Sequence, residues 1–331
     1  ICLNNEMKRV LILGGTAWLG HRLAEKLLAQ GYAVTCLARG QSGTAPSGAT
    51  PITADRSRSD AYDEVRSQEW EGVVELAYDH RLVEGALEVL SPQAGHWTLV
   101  SSVSVYASNS EPGADEGAAL VEPTDLEDYA HAKVAAERAT EQAVGGRLLI
   151  ARPGLIAGAG DTSDRFSYWV SRFALAGTQD VLVPEPEERF VQYIDIRDLV
   201  DWLISAFSRR LTGTYNAIGS PLGFAEFLQQ AAQVAGFSGR LATAGDEWLG
   251  EQGVSYWAGP RSLPLWLPAA DIPFAQRSSA RFFAAGGRTR NLPDTLEEAL
   301  RDERARGLDR QRRSGLTRSE EQDLLRLLSR G

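Results

Sequence analysis

Tyr129 and Lys133 stand four residues apart in an Ala-rich segment with helical character, so both side chains leave one face of a helix. A phenol with an ordinary pKa near 10 is a poor base at neutral pH. A neighbouring ammonium stabilises the phenolate and brings that value toward the working range. Ser102 closes an expected strand, where its hydroxyl can hold a carbonyl oxygen for protonation by Tyr129. Lys8, Lys26 and Lys133 are the only lysines; every other Lys-or-Arg position is arginine. A lysine at 133, in a chain that otherwise uses arginine, fits a role that needs an ammonium. The same bias, with abundant Ala and Gly, points to a GC-rich bacterial genome.

The second chemical feature is the run Gly14-Gly15-Thr16-Ala17-Trp18-Leu19-Gly20, which follows an apolar strand and opens a helix. Backbone N–H groups and a helix N-terminus at such a turn face a pyrophosphate, where the helix dipole favours negative charge. A tight strand–helix turn without a ligand has similar glycines, and it is the surrounding βαβ unit that favours a dinucleotide. A site for NAD(H) commonly supplies an Asp or Glu about 20 residues further on for the ribose 2′-hydroxyl. No acidic residue occurs between Glu25 and Asp55, and Arg39 follows the second strand, where a guanidinium suits a 2′-phosphate. NADP(H) is therefore favoured, with NAD(H) the alternative. Asp55, after the third strand, is placed to accept from the adenine amino group, although a surface carboxylate would look the same. Ala77 and Tyr78, at the end of the fourth strand, complete the expected cofactor wall.

These residues need a scaffold. Lys8–Leu13, Ala33–Ala38, Ile52–Ala54, Val73–Ala77, Trp97–Ser101 and Leu148–Ala151 read as strands. Trp18–Gln30, two segments near 59–69 and 80–90, and Asp128–Val144 read as helices between them, with Gly31 ending the first. Repeated β-α-β of this kind implies an α/β fold of Rossmann type, a doubly wound parallel sheet with right-handed crossovers. After Pro153 the rhythm changes. Gly158–Asp164 reads as a loop, Ser167–Ala176 as a helix, Phe190–Ile194 as a strand and Asp195–Phe207 as a helix capped by Asp195. Thr214–Ile218 and Gly223–Ala235 follow as strand and helix. The expected division is a nucleotide domain over 7–157 and a smaller mixed substrate region over 158–331, with about 189–220 returning to the first. Residues 248–274 carry three tryptophans and four prolines with little periodicity, as a pocket lining or an aromatic lid would. The tail from Thr295 reads as two amphipathic helices broken by Gly307 and Gly315, with Arg301–Arg313 as a solvated face.

Composition narrows the function. A formal charge of −10 over 331 residues argues against a general nucleic-acid binder. No apolar run approaches the roughly 18 residues of a membrane span. Two cysteines, Cys2 and Cys36, make no disulfide framework, no Cys/His cluster has metal-ligand spacing, and a reducing, cytoplasmic setting is expected. Met7 reads as a natural start, with residues 1–6 an added remnant and no secretory leader visible.

GGTAWLG, SSVSVY (Ser101–Tyr106), YAHAK (Tyr129–Lys133) and RPGLIAG (Arg152–Gly158) follow one another as in the extended and atypical short-chain dehydrogenases/reductases, which this chain resembles, and IDIRDL (Ile194–Leu199) and GTYNAIG (Gly213–Gly219) fit their epimerase/dehydratase-like branch. The resemblance spans roughly residues 7–240. It implies that Tyr129 is the general acid/base, that Lys133 lowers its pKa and holds the nicotinamide ribose, that Ser102 positions the reacting oxygen and that Pro153 borders the nicotinamide. It also implies a homodimer through two helices of the nucleotide domain.

Several positions depart from the family pattern. Ala17 replaces the middle glycine of the turn. Ser102-Val103-Ser104 stands where sugar-nucleotide dehydratases resemble Thr-Asp-Glu, so the groups that eliminate water are missing. Leu155 and Val191 stand where family members that hold nucleoside diphosphate sugars have Asn and Arg. Arg152, Arg165 and Arg189 are candidate replacements, and each could equally be a surface or packing residue.

The expected activity is hydride transfer between NADP(H) and a carbonyl or secondary alcohol of a small molecule, in a pocket shaped by Tyr168, Trp169 and Trp257. A sugar-nucleotide epimerase with transient hydride transfer is one alternative. A non-catalytic NAD(P)-binding regulatory or RNA-associated protein is the other.

Overall fold

Val10, Leu11, Ile12 and Leu13 are fully buried, and a strand apolar on both faces must lie between two layers. In the computed structural model, which describes residues 7–330, this strand is the axis of a parallel sheet. Residues 1–6, with Cys2 and the expected remnant, lie outside the described residues.

The first half runs β1 (Arg9–Leu13), α1 (Trp18–Ala29), β2 (Ala33–Ala38), β3 (Thr50–Thr53), β4 (Gly72–Glu75), α2 (His80–Leu90), β5 (Trp97–Val100), α3 (Tyr129–Val144) and β6 (Leu148–Ala151). Next come β7 (Leu155–Ala157), α4 (Ser167–Ala176), β8 (Val181–Pro184), β9 (Phe190–Val191), β10 (Tyr193–Asp195), α5 (Ile196–Ser208) and β11 (Gly213–Tyr215). The remainder is β12 (Leu222–Gly223), α6 (Phe224–Ala235), β13 (Leu241–Ala244), α7 (Asp246–Glu251), β14 (Ser255–Trp257), β15 (Ser262–Pro264), α8 (Ala280–Ala284), α9 (Leu292–Arg306) and α10 (Arg318–Leu328).

Seven strands form the sheet in the order β11-β6-β5-β4-β1-β2-β3, all pairs parallel. On one face α1 and α5 bury Leu23, Leu27, Leu203 and Phe207. On the other, α2 and α3 bury Val83, Leu87, Leu90 and Ala136. This is the expected Rossmann-type α/β architecture. The strand order reverses between β1 and β4, and ligands bind such sheets in the crevice at the carboxyl ends beside that reversal. Asp128 starts α3 by accepting from the amides of Ala130 (2.8 Å) and His131 (3.2 Å), and Asp195 starts α5 through the amide of Arg197 (2.8 Å). A second core, around Phe166, Trp169, Phe173, Phe224, Phe227 and Trp266, joins α4 and α6 to the tail helix α9.

Three expectations change. The segment 59–69 forms successive turns closed by bonds such as Ala61 N–H to Arg58 O and Asp63 N–H to Asp60 O, after Asp55 has taken the Ser57 amide, while Ala61, Tyr62 and Val65 still fill the core. Phe190–Ile194 divides at Gln192, whose buried amide donates to the carbonyls of Gly219 (2.8 Å) and Arg277 (2.7 Å). As a result β9 pairs antiparallel with β12, while β10 pairs parallel with β7.

Most consequentially, Arg301–Arg313 is a solvated face only in part: Arg301, Arg304 and Arg313 are exposed, but the remaining arginines turn inward. Arg306, Arg310 and Arg312 converge on Asp164 and Glu303, two carboxylates that are almost completely buried. Charges can be buried when paired in this way, and removing one partner strands the others. Glu303→Leu is therefore expected to lower unfolding free energy by roughly 3 kcal/mol, read as a reduced denaturant midpoint. A loss below about 1 kcal/mol, typical of exposed pairs, would mean that the arginines simply turn to solvent.

Candidate active site

The chain leaves β1 through Gly14, whose φ of +99° lies in the left-handed region that suits glycine. A Cβ on Gly15 would stand 2.6 Å from the Cys36 sulfur, and one on Gly20 would stand 2.4 Å from the Gly14 carbonyl oxygen. The turn is thus pressed against β2 and α1 is pressed against the turn. Cys36 is buried there, and burial pushes its thiol up to about 11. Ala17 precedes α1 without a side-chain cap, and no acidic residue lies in the first helical turn. The leading amides of α1 therefore have no competing side-chain acceptor, which suits a pyrophosphate. Trp18 adds a tie that the sequence did not reveal: its indole N–H donates to Ala159 O at 2.8 Å, linking this turn to the loop before α4.

Two cavities meet at Ala17 and Leu76. One, of about 490 Å³, is lined by Gly14, Thr16, Arg39, Asp55, Ala77 and Tyr78. The other, of about 480 Å³, is lined by Trp18, Leu19, Gly20, Ser102, Tyr129, Lys133, Pro153 and Arg165 among others. Every expected cofactor residue except Gly15 borders one of them, and Gly15 forms the backing against Cys36. Their arrangement suits an extended ligand with an adenosine end and a reactive end. Asp55 is exposed, and its carboxyl is held below the usual range by the amide and hydroxyl of Ser57, with Arg39 adding to the effect.

At the reactive end, Tyr129 is the first residue of α3, with its ring centroid 5.8 Å from that of Tyr78. Ser102 ends the β5 connection, and its Oγ lies 3.1 Å from Ser104 Oγ. Lys133, one turn after Tyr129, is buried and donates to the carbonyls of Ala77 (3.0 Å) and Val100 (2.7 Å). Burial lowers its pKa to about 8, against the pull of Glu75 and Glu137. Tyr129 is 46% exposed, yet desolvation around its hydroxyl raises the phenol, opposed by the neighbouring Ser102 hydroxyl and by the charge of Arg165. The ammonium is engaged by two backbone carbonyls, and the cation acting on Tyr129 is Arg165.

The three candidate arginines now separate. Arg152 makes a buried two-point contact with Glu137 (2.9 and 2.6 Å) and donates to Tyr106 Oη at 3.0 Å, so it is part of the core. Arg189 is bound by Asp246 and the Leu267 carbonyl, both at 2.5 Å. Arg165 alone of the three lines the cavity. Tyr168 and Trp169 are core residues rather than pocket walls, because their rings pack into the second core. Trp257 and Phe274, from the irregular aromatic stretch, do line the cavity.

Sequence reasoning passed over Glu75. It is fully buried at the end of β4, bound by Arg56, and accepts from the Ala77 amide at 2.8 Å. A glutamate closing an otherwise apolar strand was the available signal.

The glycine turn, the Tyr129–Lys133 helix and the switch-point cleft define an α/β dinucleotide enzyme of the short-chain dehydrogenase/reductase type. Residues 10–88 and 81–217 match the NAD dependent epimerase/dehydratase family, and the chain belongs to that family. No curated protein sequence matches the chain. Among solved structures, the UDP-glucose 4-epimerase with UDP-glucose from Thermotoga maritima is similar at 14% identity and a TM-score of 0.69, over 90% of this chain and 99% of that one. The UDP-glucose 4-epimerase of Thermus thermophilus in complex with NAD is 18% identical, with a TM-score of 0.64 over 89% and 99% of the two chains. A dTDP-4-dehydrorhamnose reductase from Yersinia enterocolitica is 16% identical, with a TM-score of 0.66 over 89% and 99%. At these identities the likeness is one of fold. No helix among the described residues is long and apolar enough to cross a membrane.

The displaced pKa of Lys133 has a signed consequence. Its folded value near 8 lies below the unfolded value of 10.5, so the burial penalty is full below pH 8 and disappears as pH rises to 10.5. The stability advantage of wild type over Lys133→Met should therefore grow with pH across this window, by up to about 3 kcal/mol. Denaturant titrations of both proteins at several pH values measure it, and a pH-independent difference would contradict the assignment.

Proposed function

We propose that this protein is an NADP(H)-preferring oxidoreductase that transfers hydride between the nicotinamide and a carbonyl or secondary alcohol of a small molecule. The observation that carries the reading is the grouping of Tyr129, Ser102 and Lys133 around one cavity that is continuous with the glycine turn. When bound, the nicotinamide supplies or accepts the hydride. A phenol with a pKa near 10 holds its proton at neutral pH, and the upward shift of Tyr129 keeps it so, which suits protonation of a carbonyl oxygen in the reductive direction. Ser102 orients that oxygen. Lys133 fixes α3 against the ends of β4 and β5 and, by resemblance to the family, contacts the nicotinamide ribose.

Arg39, exposed on the adenosine-side cavity at the end of β2, supports recognition of a 2′-phosphate. A sugar-nucleotide epimerase is the second reading, favoured by the fold neighbours. Against it, Leu155 and Val191 are buried apolar side chains where a substrate pyrophosphate would need polar partners. Arg152 and Arg189, engaged by carboxylates, are not free to replace them.

The reading is tested by titrating the protein with NADPH and NADH, followed by protein-to-nicotinamide energy transfer. Wild type should favour NADPH, and Arg39→Ala should weaken NADPH by about tenfold while leaving NADH unchanged. Preference for NADH, or a dinucleotide already bound and not exchangeable, would bring the epimerase reading forward. With a carbonyl substrate, Tyr129→Phe should abolish turnover without weakening NADPH.

A further inference from the structure

The non-glycine backbone positions in left-handed conformation include two that converge on Arg165. Asp164, immediately before it, has a φ of +60°, and Trp257, whose ring lies under its guanidinium, has a φ of +66°. Such a conformation is strained for a non-glycine residue and persists only where the surroundings enforce it. The enforcement at Asp164 comes from the tail, where Arg306, Arg310 and Arg312 surround the carboxylate and the Arg313 amide donates to it at 2.8 Å. A segment far along the chain thereby fixes the loop that aims Arg165 into the cavity with Tyr129.

The guanidinium so placed is held but not neutralised. It donates to Ser163 Oγ at 3.2 Å and stacks 5.4 Å from the Trp257 ring centroid, and Phe274 meets that ring edge-on at 5.5 Å. Asp161, in the same cavity, attracts Arg165 without an ion-pair contact, and its two carboxylate oxygens accept from the amide (2.7 Å) and hydroxyl (2.9 Å) of Ser163. Among the described residues no carboxylate pairs with Arg165. Arg313, exposed, borders the same cavity and likewise has no ion-pair partner among those residues. A partly buried cation without a partner carries a desolvation cost that an arriving anion relieves, and a planar guanidinium suits a carboxylate or phosphate.

We infer that Arg165, assisted by Arg313, binds an anionic group of the substrate, so that the molecule turned over at Tyr129 is a small carbonyl or hydroxy compound bearing a carboxylate or a phosphate. This names the substrate class of the proposed oxidoreductase and rests on that reading for the reacting carbonyl alone. The apolar side chains of Val103, Leu155, Ile156 and Phe274 would enclose the carbon skeleton between the anion and Tyr129.

The test reads binding rather than turnover, so it separates from the oxidoreductase reading. NADPH-saturated protein in low-chloride buffer is titrated with inorganic phosphate and, separately, with malonate, following Trp257 fluorescence; Trp257→Phe identifies the signal. At least one probe should saturate in wild type and weaken about tenfold or more in Arg165→Gln, with partial retention in Arg165→Lys and a smaller loss in Arg313→Gln. An unchanged melting temperature and NADPH affinity establish that the variants are folded. Response to malonate alone assigns the group to a carboxylate, and response to phosphate alone to a phosphoryl ester. Equal affinity in wild type and Arg165→Gln, or saturation by neither probe, would overturn the inference. Anion binding at Arg165 without hydride transfer to any carbonyl would count against the oxidoreductase reading alone.

Discussion

The buried ammonium of Lys133 is the constraint around which the cleft is built. It binds the carbonyls of Ala77 and Val100, the chain segments that leave β4 and β5, and so joins α3 to the two strands that flank the reactive end. An ammonium out of water needs compensation, and it lies between two buried carboxylates, Glu75 and Glu137. Each carboxylate has its own guanidinium, Arg56 on the adenosine side and Arg152 on the other. Arg152 continues to Tyr106, which donates to Asn216 at 2.6 Å beside the edge strand β11. A chain of buried charges and hydrogen bonds thus runs beneath the cleft from one cavity to the other. Its members hold one another in place beneath the site, whose mouth is formed by loops.

The legible parts of the sequence were those whose cause is local. The glycine turn, Asp128 and Asp195 as caps, and the spacing of Tyr129 and Lys133 depend on neighbours within one or two turns. The apolar strands could be read for the same reason. What escaped depends on distant partners. Ala61, Tyr62 and Val65 have a spacing that imitates a helix, yet the polar residues among them favour turns. Acidic residues interspersed through Arg301–Arg313 suggested a solvated face, but the decisive carboxylate, Asp164, arrives from the other side of the substrate region. Arg165 was visible as a candidate, and its separation from Arg152 and Arg189 needed the partners that only the fold supplies.

The same division explains the departures from the family pattern. Val191 is buried in the second core, and Leu155, also buried, presents an apolar side chain to the reactive cavity, where the family resemblance would place polar groups. Charged residues reach the cavity from the loop 158–165 and from the tail, and Trp18 ties that loop back to the glycine turn. The fold is thus that of the family, and the proposed substrate contacts come from the loop 158–165 and the tail.

The central claim is net reduction by NADPH with proton delivery from Tyr129, and isotope transfer tests it most directly. NADPH deuterated at C4 of the nicotinamide would be incubated with the protein and a panel of oxo acids and phosphorylated carbonyl compounds, and the product masses read. The account predicts deuterium on the new carbinol carbon, with one NADPH consumed per product formed. Conversion of UDP-glucose to its epimer without net consumption of NADPH, and with no member of the panel reduced, would contradict it.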